Sequence, residues 1–160
     1  MKHILNISMA FVLLATPIFW LHCDEDNPAG VDLNNPSTIP GTYNLVSLTD
    51  KTGEMGVPGT TFTAGEPLQV LVEGVTITIT ITGSLVLAET RYTFSQTVKI
   101  SSPGAPDAME TVSDTGTYSI SGSTLSAVSD EGGTETFTIS VSGNRITLED
   151  DEVKLVLEKQ

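Results

Sequence analysis

The side chains best equipped for chemistry stand close together near the start of the chain. Cys23 is the only cysteine, His22 directly precedes it, and His3 is the only other histidine. A thiol beside an imidazole is the pairing that activates a cysteine nucleophile or starts a metal site. The segment around it removes that option. Residues 1–21, MKHILNISMAFVLLATPIFWL, begin with Lys2 and continue as an apolar stretch from Ile4 to Leu21. This is the pattern of a signal peptide. At about 18 residues the stretch is also nearly long enough to cross a hydrocarbon core, so an uncleaved anchor remains the other reading. Pro17 and the abrupt switch to Asp24-Glu25-Asp26 favour cleavage, and cleavage before Cys23 leaves a mature chain without histidine. Cys23 then has no partner for a disulfide, a metal or a catalytic base. Ser-His and Cys-His arrangements are likewise absent, so the expected protein is not an enzyme.

The remaining candidates for chemistry are carboxylates. Glu149-Asp150-Asp151-Glu152 and Asp130-Glu131 fall between apolar segments, where a solvated acidic turn is the default and weak calcium binding the alternative. Neither run has the spaced oxygen ligands and fixed glycine of a calcium loop, and no glycine-rich phosphate loop opens a helix. No metal or cofactor is expected. The chain has 20 acidic and 7 basic residues, and loss of residues 1–22 moves its formal charge from −13 to −14. A surplus of that sign repels nucleic-acid phosphates and anionic lipid headgroups.

A cysteine directly after an apolar run resembles the bacterial lipoprotein signal, in which this residue becomes the first of the mature chain and carries the lipid. The resemblance implies lipid attachment at Cys23 and a place in the bacterial cell envelope, at the outer membrane on its periplasmic or surface side. Each buried methylene contributes about 0.8 kcal/mol, so several acyl chains on one residue hold firmly. Asp24, Glu25 and Asp26 resemble the acidic sorting signals behind some lipidated cysteines, or simply open a solvated linker. Residues 23–40 are expected to form the lipidated residue and a disordered tether, since DEDNPAGVDLNNPSTIP lacks periodic apolar positions.

From residue 41 to 160 short segments alternate with a period of two. Val75, Ile77, Ile79 and Ile81 interleave with Thr76, Thr78, Thr80 and Thr82. The same pattern runs through RYTFSQTVKI, TYSI, FTISV, RITL and VKLVL, and no convincing helical period follows Cys23. Gly122 and Gly143 sit in tight turns between such runs, which requires antiparallel neighbours. Eight to ten strands in about 120 residues must hide their edges. An antiparallel up-and-down meander closing into a small barrel is expected, with a two-sheet β-sandwich as the alternative. Residues 51–60 and 101–108 are the longest irregular stretches, placed to carry contacts at the rim.

GTYNLVSLTD, TGSLVLAETRYTFS, GTYSISGSTL and SGNRITLED resemble the lipocalin-like domains of bacterial lipoproteins. The resemblance implies a calycin-type β-barrel with a cup for a small apolar molecule. In that pattern a Gly-x-Trp opens the first strand and its Trp plugs one end; here Gly41, Thr42 and Tyr43 stand there, so the plug is a tyrosine. Strand parity sends Arg91, Lys99, Arg145 and Lys154 outward, so a buried carboxylate ligand would lack a cationic partner. A neutral apolar ligand is therefore preferred over a fatty acid. Tyr43, Phe62, Tyr92, Phe94, Tyr118 and Phe137 are the aromatic candidates to line such a cavity. The other reading of the same stripes is a filled core in a structural or protein-interaction domain, which is ordinary for small barrels.

Overall fold

The computed structural model describes residues 30–55 and 58–160. Cys23, both histidines and the signal-like segment lie outside the described residues.

Ten strands follow one another: β1 (Gly41–Asp50), β2 (Thr60–Thr63), β3 (Leu68–Val72), β4 (Val75–Leu87), β5 (Arg91–Ser101), β6 (Ala108–Ser121), β7 (Thr124–Ser129), β8 (Thr134–Ser142), β9 (Arg145–Glu149) and β10 (Val153–Lys159). Each of β4 to β9 pairs antiparallel with its successor, and β10 returns to β1. A further pairing of β1 with β4, Gly41 to Asn44 against Leu87 to Ser84, closes the ring. The fold is thus an all-β, closed eight-strand antiparallel barrel of β1 and β4 to β10, as the meander and the resemblance implied, and not a sandwich. Two expected turns have the geometry that close antiparallel neighbours need. Gly122 and Gly143 each take the first of two turn positions, at φ +58° and +64°, where side chains are disfavoured.

Closure is local. A bulge at Val46 shifts the register of β1 between Leu45 and Ser47, so the buried side chains run Tyr43, Leu45, then Leu48 and Asp50. Past the bulge β1 leaves β4 and takes β2 as its neighbour, while β4 takes β3. The carbonyl of Val46 accepts the Ala64 N–H and that of Ile81 the Gly65 N–H, which pins the connection between β2 and β3 in the fork. The seam is therefore sealed at one end and split at the other, and among the described residues β2 and β3 each stand at an end of the sheet.

Inward side chains at alternate positions form one contiguous core. Tyr43, Phe62, Ile81, Ile139, Ile146 and Leu157 are its largest fully buried members. Fully burying a side chain of this class stabilises by about 1.5–3 kcal/mol, and these six come from six different strands, so the core itself ties the ring together.

The sealed end is capped by chain expected to be tether. Residues 31–39 pack onto the barrel: Val31 and Ile39 are buried, Val31 N–H donates to the Gly143 carbonyl at 3.0 Å, and a 3-10 turn spans Pro36–Thr38. Residues 31–39 thus belong to the folded unit, which the sequence alone starts at residue 41. The reason is tertiary: lone apolar residues without a local period are ordered by the barrel end they cover. Tyr43 takes the plug position, its hydroxyl donating to the Ile39 carbonyl at 2.5 Å. Lys159, expected only as a terminal residue, stands opposite Tyr43 and donates from Nζ to the Thr38 carbonyl at 2.6 Å.

Candidate functional site at the open end of the barrel

The open end collects the connections 51–59, 102–107, 130–133 and 150–152. The first is folded down by Asp50, the one buried charged residue among those described. Its Oδ1 accepts the N–H groups of Gly53 (2.7 Å) and Thr52 (3.1 Å) and the Thr52 hydroxyl, and its Oδ2 accepts the Met55 N–H at 2.7 Å. Three backbone donors that would otherwise be stranded at the rim are satisfied by one carboxylate, and Met55 is laid against the core.

Parity places three further acids on the inner face: Glu110, exposed towards the rim, and Asp114 and Glu135 below it. Asp114 stands opposite Phe94 and accepts hydrogen bonds from the Tyr92 hydroxyl (2.5 Å, Oδ2) and the Ser129 hydroxyl (2.7 Å, Oδ1). Burial and this acceptor, with the negative charge around it, push the Tyr92 phenol well above its usual range. Glu135 stands opposite Ala127 on the inner parity. Much of the residue is exposed, yet partial burial of its carboxyl, then Asp114, Asp150 and Glu152, raise its pKa. A carboxyl whose native pKa is raised binds its proton more tightly folded than unfolded, so the native state loses stability as pH climbs through that window. Glu135→Gln is expected to unfold at higher urea than the parent at pH 7. The gain should vanish at pH 3, below the ordinary glutamate value of about 4.3; an equal gain at both pH values would assign the effect to packing instead.

The acidic turn between β9 and β10 is spent on its own structure. Asp150 Oδ1 accepts the N–H groups of Glu152 (2.8 Å) and Val153 (2.7 Å), and Glu149 pairs with Lys51 at 2.8 Å and Lys154 at 3.8 Å. The Lys51 hydrogen bond, with Lys154 nearby, holds the Glu149 carboxyl below its usual range. Among the described residues no group of three or more His, Cys, Asp or Glu side chains is arranged to hold a metal ion. The basic residues expected outside are engaged there: Arg91 with Asp130, Lys99 with Asp107 at 2.7 Å, and Arg145 with Glu158 at 2.9 Å.

The six aromatic candidates stand at different places in the barrel, and two hollows touch only Tyr118 and Phe137 among them. Tyr43 and Phe62 are fully buried core residues, Tyr43 at the capped end, where burial and the nearby Tyr118 push its phenol up to about 12. Tyr92 is buried against the inner wall and Phe94 is half-buried above it, beside Val98 and Ile100. Tyr118 is half-buried at the capped end, donates to the Ala88 carbonyl at 2.6 Å, and borders a hollow of about 150 Å³ with Leu33, Pro36, Ile39 and Ile120. Phe137 borders a second, polar hollow of about 220 Å³ with Thr136, Glu149 and Asp150. Tyr43, Phe62, Tyr92 and Phe94 line neither of these hollows. The inward acids Asp114 and Glu135 are the polar feature that sequence reading passed over, although the parity that sent the lysines outward also sends these two inward.

No family model matches the chain, and no curated protein matches it. Among solved structures it is similar to a lipocalin-like protein from Bacteroides uniformis ATCC 8492, at 13% sequence identity and a TM-score of 0.45, over 76% of this chain and 98% of that one.

Proposed function

We propose that this chain is a lipid-anchored, non-enzymatic recognition protein of the bacterial cell envelope, and that it binds through its surface. The observation that supports the second half is the packed core: six large side chains from six strands are fully buried. The anchor rests on Cys23 behind its apolar run and on the absence of any other cysteine or later histidine to give that thiol different work.

Mass analysis of the full chain made in a bacterial host tests the anchor. Membrane-bound protein whose N-terminal peptide begins at an acylated Cys23, with Cys23→Ser left unprocessed, is the expected result. An unmodified thiol on a released domain would overturn it. Titration of the same preparation with a neutral apolar fluorophore tests the interior, and no saturable binding is expected.

One observation favours a second reading, a neutral apolar ligand. Phe94, Val98 and Ile100 form a half-exposed apolar strip on the inner face of β5 near the open end. Saturable fluorophore binding that is lost in Phe94→Ala would establish that reading in place of the filled core.

A further inference from the structure

Among the described residues, three stretches of strand edge lack a strand neighbour because of the forked seam and the short β7, and two of them are protected. β2 is only four residues long. The part of β6 before Gly116 has no β7 neighbour, yet it carries Glu110 and Asp114, inward charges of the kind that discourage edge pairing. The outer edge of β3 has no such device. Its residues are Leu-Gln-Val-Leu-Val, without a charge, proline or bulge, and Leu71 is 67% exposed.

The hairpin fixes which groups that edge presents. Glu73 and Gly74 form its two-residue turn, both at positive φ (+49° and +81°), so Val72 and Val75 form the closing hydrogen-bonded pair. Bonding then alternates. Leu68, Val70 and Val72 exchange bonds with β4, whereas the N–H and C=O groups of Gln69 and Leu71 point away from it. β3 ends the sheet, so these four groups form a short, ready template for another strand.

Charge selects the occupant. From residue 58 to 87, which spans β2, β3, β4 and their connections, the only charged residues are Glu66 and Glu73, one at each end of β3. A second copy is disfavoured: antiparallel pairing centred on Val70 would set each Glu73 beside the other chain's Glu66, on two chains of formal charge −13. We infer that the outer edge of β3 binds an extended segment of a partner protein by strand addition, a segment of alternating β-branched residues with a Lys or Arg at each end to meet Glu66 and Glu73. This names the partner of the surface recognition proposed above and rests on that reading, but not on the anchor.

The probe is a labelled, end-blocked peptide Lys-Thr-Val-Thr-Val-Thr-Lys, with Glu-Thr-Val-Thr-Val-Thr-Glu as its control, titrated into the full chain. The basic peptide should bind saturably, weaken with salt and slow amide exchange in residues 68–72, while the acidic one should bind at least tenfold more weakly. Leu71→Pro removes a donor of the free edge without taking a bond from β4 and should weaken the basic peptide at least tenfold. The pair Glu66→Lys and Glu73→Lys should invert the preference between the peptides, a readout that does not depend on how the proline is tolerated. Equal binding to parent and both variants would place the peptide on the acidic loops and overturn the inference, as would no saturable binding. A dimer by light scattering with residues 68–72 already protected would overturn it in favour of a second copy. Fluorophore uptake abolished by Phe94→Ala would instead sink the filled-core reading, a result separate from any of these.

Discussion

Gly116→Ala is expected to destabilise the barrel by about 3 kcal/mol, the upper part of the range for forcing atoms into a packed interior. A Cβ at this position would lie 2.0 Å from the Val128 carbonyl oxygen and 2.8 Å from Cε1 of Tyr92. Neither neighbour is free to yield. Val128 belongs to β7, which pairs with β6 at this level, and the Tyr92 ring crosses Gly116 to reach Asp114. A methyl group would therefore part β6 from β7 or pull Tyr92 off its acceptor. Urea unfolding followed by far-UV circular dichroism reads the loss, with Thr117→Ala on the outer face as a control expected to stay within about 0.5 kcal/mol. Parity between the two variants would mean that β6 and β7 sit further apart than described.

Asp50→Ala should cost about 2–3 kcal/mol, because it leaves three part-buried backbone donors unmet rather than merely removing one bond. The N–H groups of Thr52, Gly53 and Met55 would lose their acceptor, and the connection 51–59 its fold. Asp50→Asn keeps one acceptor oxygen and should fall between alanine and the parent. Amide exchange separates a local from a global effect: residues 52–55 should exchange much faster in Asp50→Ala under native conditions, while β8 and β9 stay slow. Slow exchange at 52–55 in the alanine variant would show that the loop is held by its other contacts.

How far the fold could be read from sequence varied with how each strand is buried. β4, β5, β8, β9 and β10 alternate apolar and polar residues, so their period was visible. β2 buries one side chain, Phe62, over four residues, too little for any period. β3 is half-buried, with Val70 inside, but its exposed face also carries the apolar Leu71, so it reads as a nearly continuous apolar run and shows no period. Only Ala108 of β6 falls in the expected loop 101–108, but residues 109–116 show no strand period, since Glu110 and Asp114 occupy inward positions where apolar residues would have announced one. The cap was illegible for a different reason: Val31 and Ile39 gain their meaning only from the barrel end beneath them. At the candidate site, Tyr43 at the plug was readable through the Gly-x-Trp pattern. The hydrogen bonds that Asp50 and Asp114 accept depend on chain folded back from 5 and 22 residues away, which no local pattern encodes.

In the anchored form proposed above, the docking of Val31 against Gly143 sets the attitude of the barrel. Seven residues separate Cys23 from Val31, a span of at most about 25 Å even at full extension, so the anchor would reach the barrel at its capped end. The barrel then stands on that end, and β1, ten residues long, lifts the opposite rim by roughly 25 Å at the usual strand rise and tilt. Physiological salt screens charge over about 8 Å. The acidic rim and the lipid headgroups are thus electrically invisible to each other, and the rim's charge acts only on what approaches from the side facing away from the membrane.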